Sequence, residues 1–574
     1  MAQHDTAGDW VARLAEEVMA ESERRAPGRP VMVASGLSPS GPIHLGNLRE
    51  VMVPHLVADE IRRRGIACEH ILSWDDFDRL RRVPADADAS WAQHIGKPLT
   101  SVPAPARSAH PNWAEHFKAP MAEALARLGV QVRAVSQTDM YTSGAYVEQV
   151  LLAMRERDRI GAVLAEYRTK ADVELHTAAV PAEEGGTTAG YFPYKPYCSV
   201  CDRDLTTVTG YDDVAAALAY TCACGHAETT MLAEHRRGKL VWKVDWPMRW
   251  AYEGVVFEPS GVDHQSPGSS FAVGGRLVSE IFGGVQPIGP MYAFVGISGM
   301  AKMSSSRGGV PTPADALEVM EAPLLRWLYA RRRPQQAFTI AFDQEIHRLY
   351  DEWDAVERKV AGGSASALEA SSYDRAVRTA AGPLPRTPRP LPYRMLASVA
   401  DISTGDPVQT FRILSDLYPE RPLASLDEVQ PRLDRAQRWV ATCLPASERT
   451  RLLDEPDRAA LDALADSERE ALDLLLRGLD AHWSLERLSR LVYAVPKQQA
   501  GLSPDATPTP ELKAAQRAFF ALVYRLLIGR ETGPRLPTLL LAAGQDRVRH
   551  LLSPSMAGYQ GSVPVDPAPS GTDR

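Results

Sequence analysis

A short apolar segment followed by a turn of small residues constrains the fold of this chain more than any other feature. Residues 30–34 (PVMVA) are apolar and β-branched at two positions, which indicates a buried strand. The next residues, 35–47, read SGLSPSGPIHLGN and lead into 45–64, where apolar side chains recur at helical spacing. A strand, a glycine-containing turn and a helix form the first unit of an α/β nucleotide-binding fold.

Strand and helix patterns continue to alternate along the first half of the chain. Residues 66–73 (IACEHILS) have the pattern of the next strand, and the acidic stretch 74–78 (WDDFD) follows directly. Open parallel sheets bind ligands at the carboxyl ends of their strands, so we expect these acids at the site. The patterns also predict helices at 121–128 and 151–168, and strands at 130–135, 240–252 and 292–297.

The composition is that of an ordinary globular protein. Of its 574 residues, 45% are hydrophobic and 24% charged, and the length suggests roughly three to four domains. No apolar run approaches the roughly 20 residues of a membrane span, and no secretory leader is visible, so we expect a cytoplasmic protein. The net charge of −8 argues against nonspecific coating of nucleic acid without excluding a specific nucleic-acid partner.

Composition shifts suggest where the domains begin and end. After residue 309 the pattern becomes helical, with proline-rich joints at 382–392 and 501–510. The predicted parts are an N-terminal extension (1–28), an α/β catalytic domain (29–312) with an insertion (180–239), a helical stem-contact region (313–380), an α-helical domain (381–552) and a disordered tail (553–574).

A second segment of small polar residues, AKMSSSRGG at 301–309, lies roughly 250 residues after the first. The two segments together resemble the HIGH and KMSKS motifs of class I aminoacyl-tRNA synthetases. The resemblance implies a Rossmann-like catalytic domain that activates an amino acid with ATP and Mg²⁺, through attack of its carboxylate on the α-phosphate. Asn47 stands in place of the last histidine of HIGH and Ser305 in place of the second lysine of KMSKS, as is usual in the lysyl branch.

Physical chemistry gives these residues plausible roles. His44 precedes a helix N-terminus, which favours anions, and a lysine at 302 brings a positive charge to the β- and γ-phosphates. The predicted catalytic residues are His44, Asn47, Lys302, Ser304 and Ser305. The predicted ATP-binding residues add Ser38, Gly41, Gly46 and Met303. The alternative is that 35–47 is only a strand-to-helix turn, in which glycine, proline and serine are common.

Further segments resemble class I lysyl-tRNA synthetases in particular. They lie at 74–79 (WDDFDR), 138–144, 242–250 (WKVDWPMRW), 257–264 (FEPSGVDH), 322–334, 391–396 and 533–544. The resemblance implies conversion of lysine and ATP to lysyl-adenylate, followed by transfer to tRNA(Lys), with anticodon recognition by the helical domain. Two rivals are a paralogue that uses another amino acid or a non-translational acceptor, and a non-enzymatic tRNA-binding protein. A monomer is favoured.

A buried lysine ε-ammonium requires a carboxylate partner, because an unpaired buried charge costs several kcal/mol. The acidic candidates at strand ends are Asp75, Asp76, Glu258 and Asp263, the last followed by His264. Aromatic candidates to cover the aliphatic stem are Trp74, Trp246 and Tyr292. The predicted amino-acid-binding residues are Asp75, Asp76, Trp246, Asp263 and His264. Alternatively, Asp75 and Asp76 only cap a turn or pair with Arg79 and Arg81.

Four of the six cysteines lie close together in the predicted insertion. Cys198 and Cys201 are separated by two residues, Cys222 and Cys224 by one, which suits a tetrahedral structural zinc. His226 follows closely and is an alternative to Cys224 as the fourth ligand.

Arginines of the second half are candidates for tRNA contact. Those predicted to follow a phosphate backbone are Arg331, Arg332, Arg333, Arg386, Arg389 and Arg394. The simpler interpretation is that they belong to solvated helix faces.

Overall fold

The computed structural model describes residues 9–84, 88–167, 185–187, 190–266, 268–298, 310–403, 406–507 and 509–553. They divide into two compact units, the first ending at Arg386 and the second beginning at Thr387. The division lies close to the predicted start of the helical domain at 381. The region predicted to contact the tRNA stem, 313–380, belongs to the first unit.

A parallel sheet forms the centre of the first unit. Strand Cys68–Trp74 lies between Val31–Leu37 and Arg133–Ser136 and pairs with both in parallel. On the other side of Val31–Leu37, parallel bridges through Phe257 extend the same layer. The strands run in the same direction, so their carboxyl ends share one edge. The α/β class predicted from the sequence is confirmed.

Helices cover the sheet, and small sheets make up the insertion and the outer parts of the unit. Its α-helices are Trp10–Arg25, Leu45–Arg63, Trp113–Arg127, Gln137–Ser143, Val147–Arg155, Arg157–Glu166, Trp242–Glu253, Val262–Gln265, Ser270–Glu280, Pro313–Val319, Ala322–Ala330, Ile346–Ala361 and Ala367–Val377. Its remaining strands are Gly186–Thr187, Gly190–Tyr191, Tyr194–Pro196, Thr206–Asp212, Ala217–Cys222, Ala227–Met231, Gly238–Leu240, Ser260–Gly261, Met291–Tyr292, Val295–Ile297, Phe338–Ile340, Arg378–Thr379 and Gly382–Pro383.

One predicted element has the wrong type. Residues 240–252 were expected to form a strand. Instead, strand Gly238–Leu240 ends at residue 240, and an α-helix, Trp242–Glu253, follows it. Tryptophans spaced by four residues place Trp246 and Trp250 on one buried face, which a strand would not do. The predicted single helix at 151–168 is also divided, with the break at Glu156.

The described residues of the second unit are helical. Its α-helices are Tyr393–Ser403, Pro407–Leu417, Arg432–Thr442, Arg458–Asp462, Asp466–Gly478, Leu485–Gln499, Pro510–Ile528, Leu536–Ala543 and Gln545–Leu552. Leucine, valine and aromatic side chains on their inner faces form the core. Among the described residues of the whole chain, none of the helices combines the length and apolar character needed to span a membrane.

Candidate active site

His44 caps the helix that follows the first strand. Its ring Nδ1 accepts a hydrogen bond from the backbone N–H of Gly46 at 3.1 Å, which fixes the imidazole over the start of helix Leu45–Arg63. Burial lowers the pKa of His44, so the ring is neutral near pH 7. Because Nδ1 accepts, the ring proton resides on Nε2. His44 is therefore a neutral N–H donor beside a helix N-terminus, a suitable pair for a phosphate oxygen.

Other predicted nucleotide-binding residues surround this helix start. Asn47 lies in the first turn and, with Ser38 just after the first strand, borders a cavity of about 260 Å³. Gly46 supplies the N–H that orients His44, and Gly41 is buried in the connecting turn. The structure thus brings the described members of the predicted ATP set to one place.

The KMSKS-like segment lies outside the described residues, and with it Lys302, Met303, Ser304 and Ser305. The residues just after it lie close to His44: the N–H of Leu45 donates to the carbonyl of Pro311 at 3.0 Å. Just before the segment, the N–H of Ser298 donates to the carbonyl of Ile340 at 3.0 Å.

A buried arginine also ties the HIGH-like helix to the parts of the chain on both sides of that segment. Arg49, 2% exposed, donates to the carbonyls of Ala293, Arg333 and Gln336, each at 2.9 Å. The chain therefore leaves and re-enters the described region beside the helix that carries His44.

The same cavity extends along the carboxyl ends of the strands. Asp75, Trp246 and His264, three of the residues predicted to bind the amino acid, line it together with Ser38 and Asn47. The indole of Trp246 stacks against Trp242 with ring centroids 5.2 Å apart and meets the imidazole of His264 at 5.6 Å. Aromatic rings thus form a wall next to the acidic groups.

Two predicted acids do not line the cavity. Asp76 is buried against Lys118, at 3.1 Å, and accepts a hydrogen bond from the backbone N–H of Thr138 at 2.9 Å. Asp263 is exposed on the short helix Val262–Gln265. Asp75 is paired with Arg249 at 2.6 Å, so neither Asp75 nor Asp76 forms the predicted alternative pair with Arg79 or Arg81.

Two glutamates add buried carboxyl groups to the cavity. Glu258 is buried, and Trp250 donates its indole N–H to the carboxylate at 2.6 Å. Burial raises the pKa of Glu258 to about 7 and that of Glu50 to about 8; Asp75 adds to both shifts, and Glu258 adds to that of Glu50. Burial also raises the pKa of Asp75 although Arg249 opposes it. The cavity therefore stabilises a cation.

Sequence reasoning listed Glu258 only among the acidic candidates and missed Glu50 altogether. Glu50 follows Asn47 by three residues, so the two side chains share one face of helix Leu45–Arg63. This three-residue spacing was the signal in the sequence that could have identified Glu50. The hydroxyl of Tyr292, one of the predicted aromatic residues, hydrogen-bonds Glu50.

The four cysteines of the insertion converge. Their sulfur atoms all lie within 4.8 Å of one another, with Cys198–Cys224 at 3.7 Å and Cys201–Cys222 at 3.6 Å. A tetrahedral zinc with bonds of about 2.3 Å requires sulfur separations of about 3.8 Å. The donor set therefore fits zinc. The imidazole of His226 instead faces Ser199, at 3.1 Å, and Glu228, at 3.3 Å.

A second cavity, a groove of about 490 Å³, adjoins the first and shares Asp75, Trp242 and His264 with it. Its basic lining residues are Arg79, Arg81, Lys195, Lys239 and Lys243. Asp78 and Asp204 partly balance them through contacts with Lys239 and Arg79. The remaining charge favours an anionic ligand beside the acidic cavity.

The arginines predicted to contact tRNA have varied surroundings. In the first unit, Arg331 lies over the Trp327 ring at 3.8 Å and pairs with Glu352, and Arg386 donates to the Tyr373 hydroxyl at 2.7 Å. Arg332 and Arg333 end the same segment and are at least partly accessible. In the second unit, Arg389 lies over the Tyr418 ring, and Arg394 begins helix Tyr393–Ser403.

The parallel sheet carries a capped HIGH-like helix start at its carboxyl edge, beside an amino-acid-sized cavity. These features together define the catalytic domain of a class I aminoacyl-tRNA synthetase. The model of the family described as tRNA synthetases class I (K) matches residues 8–382. This chain belongs to that family.

Two relatives that align over nearly their full length are named lysine--tRNA ligases. A lysine--tRNA ligase of Streptomyces coelicolor is 64% identical, over 96% of this chain and 99% of the relative. A lysine--tRNA ligase of Pyrococcus horikoshii is 32% identical, over 92% of this chain and 96% of the relative. A solved glutamate tRNA ligase from Elizabethkingia meningosepticum, in complex with its amino acid, aligns with a TM-score of 0.42 and 11% identity, covering 91% and 98% of the two chains.

Proposed function

We propose that this protein is a lysine--tRNA ligase, which forms lysyl-adenylate from L-lysine and ATP and transfers the lysyl group to tRNA(Lys). The observation that carries the proposal is a pair of buried carboxyl groups that a bound ammonium would hold in the ionised form. Glu50 and Glu258 border the cavity without a basic partner in direct contact among the described residues, next to a phosphate-type helix start at His44. The names of the full-length relatives support the same substrate pair.

ATP binds at the start of helix Leu45–Arg63. His44 donates from Nε2 to a phosphate oxygen, and Asn47 donates from its amide, while Ser38, Gly41 and Gly46 shape the turn. Lys302, with Met303, Ser304 and Ser305, completes the phosphate contacts. Mg²⁺, when bound with ATP, neutralises phosphate charge. The residues mainly position the lysine carboxylate and the α-phosphate for in-line attack.

Lysine occupies the acidic end of the cavity. Its ammonium groups pair with Glu258 and Glu50, and Trp246 and His264 pack along the aliphatic stem. Asp75 contributes negative charge from its place beside Arg249. Asp76 and Asp263 stay predictions from the sequence, and their positions favour a supporting role for Asp76 in holding Lys118 and Thr138.

The acceptor end of tRNA enters through the basic groove, since the terminal ribose must reach the adenylate and the two cavities share a wall. Arg331, Arg332, Arg333 and Arg386 contact the backbone of the stem. Arg389 and Arg394, in the helical domain predicted at 381–552, contact the anticodon arm. A monomeric state and a cytoplasmic location stay predictions.

The test is lysine-dependent exchange between ATP and pyrophosphate, with tRNA present and each of the twenty amino acids supplied in turn. We expect exchange with lysine and charging of tRNA(Lys). Exchange with another amino acid and none with lysine would show that the specificity is wrong. Exchange with lysine but no charging of tRNA(Lys) would indicate the alternative acceptor.

Cys198, Cys201, Cys222 and Cys224 hold a structural zinc, which ties together the two ends of the insertion. We expect metal analysis of the purified protein to find about one zinc per chain, and Cys201→Ser to lose most of it and to melt at a lower temperature. Cys443→Ser, which removes a thiol far from the cluster in sequence, is the matched control and keeps its zinc. Equal zinc content in the two variants would contradict the assignment.

A further inference from the structure

We infer that Asp245 determines lysine specificity by holding Arg249 away from Glu258, a carboxylate proposed to bind the substrate ammonium. The inference rests on the proposed function and adds to it a residue that touches no substrate. Asp245 is a positioning residue: it acts through Arg249, a basic side chain in the wall of the lysine cavity.

Asp245 is fully buried and has three partners. It lies on helix Trp242–Glu253 one turn before Arg249, and the two side chains form a close ion pair. The hydroxyl of Tyr141 donates to its other oxygen at 2.5 Å, and the ammonium of Lys239 lies 3.4 Å away. These contacts leave the carboxylate no freedom to turn toward the cavity.

Arg249 is shared between Asp245 and the strand ends. One terminal nitrogen pairs with Asp245, and the other contacts Asp75 at 2.6 Å and the Ser73 hydroxyl at 3.1 Å. The next residue, Trp250, donates to Glu258, so the guanidinium and the Glu258 carboxylate border the same cavity. Arg249 is thus the basic residue in the described lining of this cavity, and its ion pairs are with Asp75 and Asp245 rather than with Glu258.

Removing the negative charge of Asp245 changes what Arg249 does. A buried guanidinium requires an anion, and the other carboxylates that line its cavity are Asp75, Glu258, Glu50 and Glu253. Asp75 already contacts Arg249, and Glu253 already pairs with Arg133, which leaves the two glutamates proposed to bind lysine. An arginine that pairs with Glu258 competes with the lysine ammonium for the same oxygen atoms. Asp245 therefore keeps the cavity selective for a cationic amino acid by engaging the protein's own cation.

The test compares Asp245→Asn with the double variant Asp245→Asn/Arg249→Gln in lysine-dependent exchange. Asp245→Asn is expected to raise the KM for lysine at least tenfold, with the KM for ATP changed less than twofold. It also lowers the preference for lysine over norleucine, a neutral analogue. The double variant, which no longer contains the competing cation, recovers a lower KM for lysine than the single variant. A double variant worse than the single one would show that Asp245 is only structural and would overturn the inference.

Tyr141→Phe is the matched control, because it removes one hydrogen bond to Asp245 and leaves the charges in place. Its KM for lysine is expected to stay within threefold of the wild type. If Asp245→Asn yields no folded protein, Asp245→Glu decides, because it keeps the charge and displaces the carboxylate from Arg249. The inference expects the KM for lysine to rise at least threefold more than the KM for ATP, and equal changes in the two contradict it. Lysine-dependent exchange by the wild type is the reference, so a failure of the proposed function is recognised separately.

Discussion

Replacing His44 with alanine is expected to lower kcat for lysyl-adenylate formation by about 100- to 1,000-fold, the usual cost of one donor aimed at developing charge. The neutral imidazole is held by its Nδ1 on the Gly46 N–H, and its Nε2 proton is directed at the phosphates. The contact strengthens as charge develops during displacement at the α-phosphate, so the effect falls on kcat. The KM for lysine is expected to change less than threefold, because the acidic end of the cavity is untouched.

The measurement is a single-turnover assay of adenylate formation with saturating ATP and lysine and with tRNA present. His110→Ala is the control: it removes another partly buried histidine of the same unit, in a loop that does not line the cavity. We expect it to react at the wild-type rate. A loss of less than tenfold in His44→Ala, in protein that melts at the wild-type temperature, would contradict the assigned role of the imidazole.

Much of the nucleotide end of the site follows from the sequence, because local rules determine it. The strand, the turn and the helix start are adjacent in the chain, and a histidine just before such a helix has few alternatives to capping it. The convergence of the four cysteines was equally predictable, since the spacing of Cys198–Cys201 and Cys222–Cys224 restricts the geometry before folding is considered. Neither prediction required knowledge of distant packing.

The amino-acid end was less predictable because it is assembled from residues far apart in the chain. Glu50 has the sequence context of an ordinary helical glutamate, and its place beside Tyr292 and Glu258 becomes visible only in the folded chain. The wrong prediction of a strand at 240–252 had a similar cause. Its apolar and polar residues alternate in places, and the helical pairing of Asp245 with Arg249 becomes decisive only when both are buried.

Asp76 shows a second limit of reasoning from the sequence. Asp75 and Asp76 are consecutive residues after strand Cys68–Trp74. The sequence alone could not tell which of the two carboxylates lines the cavity. Alternation of side-chain direction at the end of Cys68–Trp74 sends Asp75 toward Arg249 and Asp76 toward Lys118 on helix Trp113–Arg127. A shift of one residue thus decides which carboxylate lines the cavity.

Replacing Glu258 with glutamine is expected to raise the KM for lysine about 10- to 100-fold, the loss of one charge-assisted hydrogen bond. Glutamine keeps the size of the side chain and can still accept the Trp250 N–H, so the change removes charge rather than packing. Glu280→Gln, on the exposed end of helix Ser270–Glu280, is the control and keeps the wild-type KM. A change of less than threefold in Glu258→Gln would show that lysine binds elsewhere.

The dependence of this effect on pH separates charge from shape. In the empty cavity the pKa of Glu258 is about 7 and that of Glu50 about 8, whereas both carboxylates must be ionised to pair with an ammonium. Lysine binding therefore expels protons below these values, while the ε-amino group of lysine, with a pKa near 10.4, stays charged. We expect the KM of the wild type to fall as pH rises from 6 to 8.5, by up to about tenfold per unit for each carboxyl that titrates. In Glu258→Gln the component centred near pH 7 disappears, and the component from Glu50 remains but moves below pH 8, because the Glu258 carboxylate that helps to raise the pKa of Glu50 is gone. An unchanged profile in the variant would rule out Glu258 as a titrating group, because its only ionisable proton has been removed.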